Sequence, residues 1–257
     1  MDNSNNKRIG IIGYGTIGSY LAAASMDRDI AEISYIFDID TDKTHSTTNI
    51  KKLENLEEIA DHKVDLVIEA ATNKVVQELA PHVLTHTNLL TFSVTSLSDD
   101  SFRETLRSIC VKHKTRLYIP HGAILGLDGI HDGRNVIEEV RITTTKNPKN
   151  LGLDQPISKV LYDGPTRGAC EQFPRNVNVH AALALAGLGF DRTRSVIVAD
   201  PETDQMRHDI HVRGQGLEWN ISISSRSIGS VTGSYTPESA IMTVERILTN
   251  KYDIVLA

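Results

Sequence analysis

A chain of 257 residues suits one large domain or two modest ones, and its 40% hydrophobic and 23% charged residues exclude a disordered or membrane class. The formal net charge of -6, with scattered basic residues, argues against a nucleic-acid partner. Cys110 and Cys170 lack CxxC spacing and read as reduced thiols of a cytoplasmic protein. No run reaches the roughly 20 apolar residues of a membrane span, and the polar opening MDNSNNKR lacks a signal peptide's apolar centre, so no membrane is expected.

In chain order, RIGIIG (8–13) reads as a strand leading into a helix from about Ile17 to Met26, and EISYIF (32–37) as a second strand. DLVIEA (65–70) precedes a helix near Val75 to Leu84; NLLTFSV (88–94) is a strand, DDSFRETLRSICVKH (99–113) a helix and RLYIP (116–120) a strand. Such alternation predicts a doubly wound parallel α/β sheet, a Rossmann domain over residues 1–120. Beyond Pro120 the pattern changes to a mixed α+β domain over 121–235. A Gly-rich turn HGAILGLDG leads to VIEEVRITTT, a polar loop over 146–156, a short strand KVLYDG and a small-residue helix NVHAALALAG. RSVIVAD, MRHDIHVRG and LEWNISISS then read as an antiparallel meander. A final helix, opened by Thr236 and Pro237, is expected to pack back on the first domain over about 236–257.

Gly13, Gly15 and Gly18 form G-x-G-x-x-G between a strand and a helix, with Thr16 and Ile17 inside the motif. Gly13 is assigned the tight turn, Gly15 close approach of a pyrophosphate, and Gly18 helix-on-strand packing, with the helix N-terminus facing the phosphates. Asp38 ends the second strand, where a carboxylate takes the adenosine ribose hydroxyls and favours NAD over NADP; Asp40 is its nearby substitute, and dual use stays open. The segment EAATNKV, with Ala70 and Ala71, is placed to pass over the nicotinamide half, or is a plain strand-to-helix loop.

In QMRHDIHVRG, strand parity puts His208 with Ile210 and Val212 on an enclosed face and His211 on the opposite one, so the two cannot share a metal. His82 and His86, four apart on an expected helix, lack an acidic or cysteine partner and read as a solvated helix end; no metal is expected.

The strings IPHGAILGLDGI, FPRNVNVHAALALAGLGFDRTRSVIVADP and RHDIHVRG resemble the L-aspartate dehydrogenases, with the likeness running from the glycine motif to about Gly216. The resemblance implies NAD(P)-dependent oxidation of aspartate to iminosuccinate, with use in NAD biosynthesis, a Rossmann domain and a substrate domain that makes homodimer contacts. It makes His208 the active-site histidine and places Ala123 and Asn178 at the nicotinamide cofactor, while Asn176 is kept as a helix cap or substrate contact. Two departures bear on substrate identity: His121 stands where the family has Ser, and SRSIGSVTGSYTPES (225–239) replaces an Asn-Pro-Lys-Thr-Ser segment. Arg226, Arg175 and His121 are the candidate carboxylate partners. The alternatives are a dehydrogenase or imine reductase of another small amino acid, and a non-catalytic NAD-binding regulator.

Overall fold

Strand β1 (Arg8–Ile12) is buried at every position but its first, as a strand covered on both faces must be. Around it lie β2 (Glu32–Phe37), β3 (Lys51–Lys52), β4 (Leu66–Glu69), β5 (Asn88–Thr91) and β6 (Leu117–Tyr118), all parallel, in the order β3-β2-β1-β4-β5-β6. This is the doubly wound dinucleotide-binding order, with its switch point between β1 and β4. Helices α1 (Thr16–Asp27), α2 (Asn73–Val83) and α3 (Asp100–His113) connect its strands. This computed structural model describes residues 7–44, 49–228 and 232–249. Their chain divides into two units, one comprising the stretch ending at Phe92, Glu104–Pro120 and the stretch beginning at Pro237, the other Ser93–Arg103 and His121–Thr236.

The second unit contains α4 (Leu127–Gly133), β7 (Ile137–Lys146), β8 (Lys159–Pro165), α5 (Thr166–Gln172), α6 (Asn178–Ala186), β9 (Arg194–Ala199), β10 (Gln205–Gly214), β11 (Leu217–Ile228) and β12 (Thr232–Gly233). Its sheet runs β12-β11-β10-β7-β9-β8 and is mixed, β7 pairing parallel with β9 and antiparallel with β10. Val140, Ile142, Ile210 and Val212 share one sheet face and form its core with Ile130 and Leu183. Helix α7 (Thr236–Leu248) contributes Ala240, Ile241 and Val244 to the first unit's core beside Ile9, Ile11, Leu66 and Ile68. Burial of each such side chain stabilises by about 1.5–3 kcal/mol against leaving it in water.

Four expectations are corrected. The three-strand meander is a hairpin, β10 with β11; β9 is separated from β10 by β7. The 200–204 connection passes over the end of β7, where the Asp200 N–H donates to Lys146 O and Asn147 Nδ2 donates to the carbonyls of Pro201 and Thr203. The strand expected over 88–94 stops at Thr91, and Val94–Ser98 is a 3-10 turn held in the second unit by the Thr95 hydroxyl on Pro174 O; 93–103 thus departs from a boundary at 120. The helices α4 and α5 were not expected; Gly126 opens α4 at φ 82°, a left-handed conformation suited to glycine, and a Cβ there would lie 2.7 Å from Ile221 Cδ1. His86 lies beyond α2, which ends at Val83, and both His82 and His86 are exposed.

Candidate functional site

On the first unit the glycine motif forms a cradle. Gly13 has φ 93°, and a Cβ there would meet Ala70 O at 2.6 Å; at Gly18 it would meet Gly13 O at 1.9 Å. A Cβ on Gly15, which precedes α1 with no side-chain cap, would meet nothing within 4 Å. The motif therefore leaves open backbone beside a helix N-terminus, the arrangement that takes a phosphate. Ala70 and Ala71 adjoin it: Ala70 N–H donates to Ile12 O, and Ala71 N–H donates to the buried Glu69 carboxylate at 2.8 Å. Thr16 is exposed and Ile17 half-buried at the start of the helix.

Asp38 follows β2 and closes the same turn, accepting from Tyr14 N–H at 2.6 Å and Asp40 N–H at 2.9 Å. Lys43 Nζ sits 3.6 Å from Asp38 and 3.3 Å from Asp40. A carboxylate and a cation thus stand together at the end of β2.

On the second unit, His208 is 2% exposed among Met206, Ile210 and Val212, and His211 on the opposite parity donates from Nδ1 to Asn220 Oδ1 at 2.9 Å. Directly across the ladder from His208 stands Thr144 on β7, its Oγ1 2.8 Å from His208 Nδ1. His208 Nε2 is buried without a hydrogen-bond partner. Burial, reinforced by Lys146, holds the His208 imidazole down to about 3, so its resting form is neutral.

Lys146 and the buried row behind His208 were not singled out in the sequence. In the sequence Lys146 opens a polar loop, yet in the structure it continues the parity of Val140, Ile142 and Thr144, is 2% exposed, and donates to Asn176 Oδ1 at 3.2 Å. Burial pulls its ammonium down to about 8. A buried cation whose hydrogen-bond acceptor is a neutral amide suits an incoming carboxylate. His180, inside the small-residue helix, is fully buried and held well below the ordinary histidine range, first by burial and then by His208 and Lys146.

Other candidates fall unevenly. Asn176 does not cap α6, whose N-cap is Val177 with no side-chain bond; its oxygen serves Lys146 instead. Asn178 Oδ1 accepts from Thr95 N–H at 3.2 Å. Ala123 is 4% exposed, two residues after His121, whose ring nitrogen Nδ1 donates to Ile124 O at 2.8 Å. Tyr235 packs against His121 with ring centroids 6.3 Å apart. Arg226 pairs with Gln205 and so points to the face opposite His208, where it is exposed; the structure does not bring it to the histidine. Arg175 is also exposed. Of the departing segment 225–239, residues 229–231 lie outside the described residues, as do 1–6 of the opening and 250–257 of the expected final helix. Among the described residues no group of three or more His, Cys, Asp or Glu is placed to hold a metal, and no helix is long and apolar enough to cross a membrane.

A doubly wound dinucleotide sheet with a glycine cradle, together with a mixed-sheet unit that buries a neutral histidine and a lysine, defines a pyridine-nucleotide dehydrogenase. Residues 13–120 match the family model described as homoserine dehydrogenase, NAD binding domain, and residues 128–247 match aspartate dehydrogenase, C-terminal. L-aspartate dehydrogenase of Nitrosopumilus maritimus is 35% identical over 81% of this chain and 84% of its own, and that of Archaeoglobus fulgidus 32% identical over 94% and 96%. The crystal structure of aspartate dehydrogenase from Thermotoga maritima superposes with a TM-score of 0.78 at 27% identity, covering 98% of this chain and all of that one. The chain belongs to the L-aspartate dehydrogenase family. The WlbA dehydrogenase of Bordetella pertussis shares the fold alone, with a TM-score of 0.56 at 13% identity over 97% of this chain and 90% of its own.

Proposed function

We propose that this protein oxidises L-aspartate with NAD(P), giving iminosuccinate, which water hydrolyses to oxaloacetate and ammonia, and that it runs reversibly. The observation that carries this reading is the unpartnered, buried Nε2 of neutral His208 on the same sheet face as Lys146. An acceptor stripped of water costs about 1–3 kcal/mol; an ammonium N–H of the substrate supplies its missing donor. His208 accepts that proton and frees the amine lone pair, which the Cα–N bond needs in order to become an imine as the Cα hydride leaves. The nicotinamide, when bound, supplies the hydride acceptor. His208 then returns a proton during hydrolysis or activates the water. Lys146 meets a substrate carboxylate, and Asn176 orients its ammonium.

The glycine motif with Thr16, Ile17, Ala70 and Ala71, and Asp38, are assigned to the dinucleotide, and the family's cofactor positions to Ala123 and Asn178. Asp38 supports NAD, and the adjacent Lys43 supports NADP as a second cofactor. His121 is assigned to the substrate end. The substrate role of the second unit, a homodimer, a cytoplasmic setting and supply of iminosuccinate to NAD biosynthesis complete the reading. The test is NADH and NADPH formation with L-aspartate beside a panel of small amino acids. Aspartate as the preferred substrate supports the reading, and preference for another amino acid replaces it with the redirected-specificity alternative.

A further inference from the structure

Neutral imidazole has two tautomers, and only the Nδ1–H form leaves a lone pair on Nε2. A row of buried groups behind His208 dictates which form it takes. Thr166 Oγ1 donates to Thr193 O at 3.0 Å. A hydroxyl has one proton, so Thr166 Oγ1 can then only accept from Ser195 Oγ, 2.8 Å away. With its proton spent, Ser195 Oγ accepts from His180 Nδ1 at 2.9 Å. Neutral His180 protonated on Nδ1 has an acceptor at Nε2, which takes the Thr144 hydroxyl proton at 2.6 Å. Thr144 Oγ1, likewise spent, accepts from His208 Nδ1 at 2.8 Å.

Every donor in the row therefore points toward the Thr193 carbonyl, a group that cannot donate and cannot be reversed. Thr166, Ser195 and His180 are fully buried and Thr144 is 1% exposed, so bulk water does not compete for these protons. Thr144, Ser195, His208, Thr166 and His180 sit on β7, β9, β10, α5 and α6, and the Thr193 carbonyl that ends the row immediately precedes β9.

We propose that Thr166, Ser195, His180 and Thr144 form a positioning relay that locks His208 in the Nδ1–H tautomer, keeping Nε2 as the proton acceptor. The catalytic part of this inference rests on the reading of His208 as the base; the tautomer part does not. Thr144, His180, Ser195 and Thr166 are positioning residues, and the row has no carboxylate within it. It orients the imidazole without storing a positive charge there.

The test is long-range 1H–15N correlation of the full chain labelled with 15N-histidine, with the His208 signals assigned by their loss in His208→Gln. The relay predicts a protonated Nδ1 and a bare Nε2 for wild-type His208. It predicts that Thr144→Val and Ser195→Ala erode this preference and lower kcat for aspartate oxidation about tenfold or more, with KM little changed, and that Thr144→Ser restores both. A protonated Nε2 in the wild type overturns the relay with no variant needed. An unchanged kcat in Thr144→Val also overturns it. If the wild type turns over no amino acid, the function reading fails while the spectrum still decides the tautomer lock. If His208→Ala is inactive but Thr144→Val is fully active, the function reading survives and the relay falls.

Discussion

Thr144 and His208 stand directly opposite each other on β7 and β10, with Thr144 Oγ1 2.8 Å from His208 Nδ1. That bond occupies one ring nitrogen and leaves the other buried and unpartnered, so the cross-strand register itself leaves His208 one ring nitrogen for the proposed role of base. The same register places Lys146 two residues along the same face.

The carboxylate contact proposed for Lys146 makes substrate binding depend on pH in a defined direction. Its ammonium is the form that meets a carboxylate, and it is lost as pH rises through about 8. Succinate, a dicarboxylate with no amine to confuse the titration, is expected to inhibit well below pH 8 and progressively less above it. Lys146→Met should weaken succinate by about tenfold or more at pH 7 and flatten the profile. An unaltered profile in that variant removes Lys146 from the carboxylate site.

Two glycines of one motif should behave oppositely. Gly18→Ala drives a Cβ to 1.9 Å from a backbone oxygen and is expected to destabilise by roughly 4 kcal/mol or more. Gly15→Ala meets nothing within 4 Å and should cost under about 1 kcal/mol; Gly15→Val should fold yet bind NADH poorly. Thermal melts with NADH fluorescence titrations read both effects. Tight NADH binding by Gly15→Val would move the pyrophosphate away from this turn.

How far the sequence carries can be judged from these same elements. The glycine motif, the parallel sheet and the parity of His208 were legible because each is local, resting on turn chemistry or a period of two. Lys146 was missed because a charged residue after three threonines looks like the end of a strand, although its parity with Val140 and Ile142 was the available signal. His180, Ser195 and Thr166 lie on α6, β9 and α5, and only tertiary packing brings them into one row. The insertion of β7 between β9 and β10 was invisible for a related reason, since strand order is set by distant pairings.

The proposed ribose contacts tie cofactor preference to Asp38 and Lys43. Asp38→Ser should weaken NADH more than NADPH, because the carboxylate serves ribose hydroxyls and opposes a 2'-phosphate. Lys43→Ala should weaken NADPH more than NADH. Fluorescence titration of the two reduced cofactors against both variants checks the pair, and equal losses for both cofactors would detach these residues from the adenosine ribose.

Acid should unfold the protein through its buried histidines. His208 sits near 3 in the folded state and His180 is also well depressed, whereas both return to about 6.5 on unfolding. Between those values the unfolded chain binds more protons, so stability is complete above pH 6.5 and is lost as pH falls. At pH 5 His208 contributes a loss of about 2 kcal/mol, and His180 adds a loss in the same direction. Denaturant melts from pH 7.5 to 4.5 should show this fall, with a shallower slope in His208→Gln; identical slopes would mean that His208 is not buried in its neutral form.

The most direct test of His208 as the base compares wild type and His208→Ala for L-aspartate-dependent NAD(P)H formation, with NADH binding measured on the same samples. The expected result is robust turnover in the wild type, a loss of about a hundredfold or more in the variant, and NADH affinity within about threefold of wild type. Undiminished turnover by a folded His208→Ala would contradict the assignment of His208 as the base.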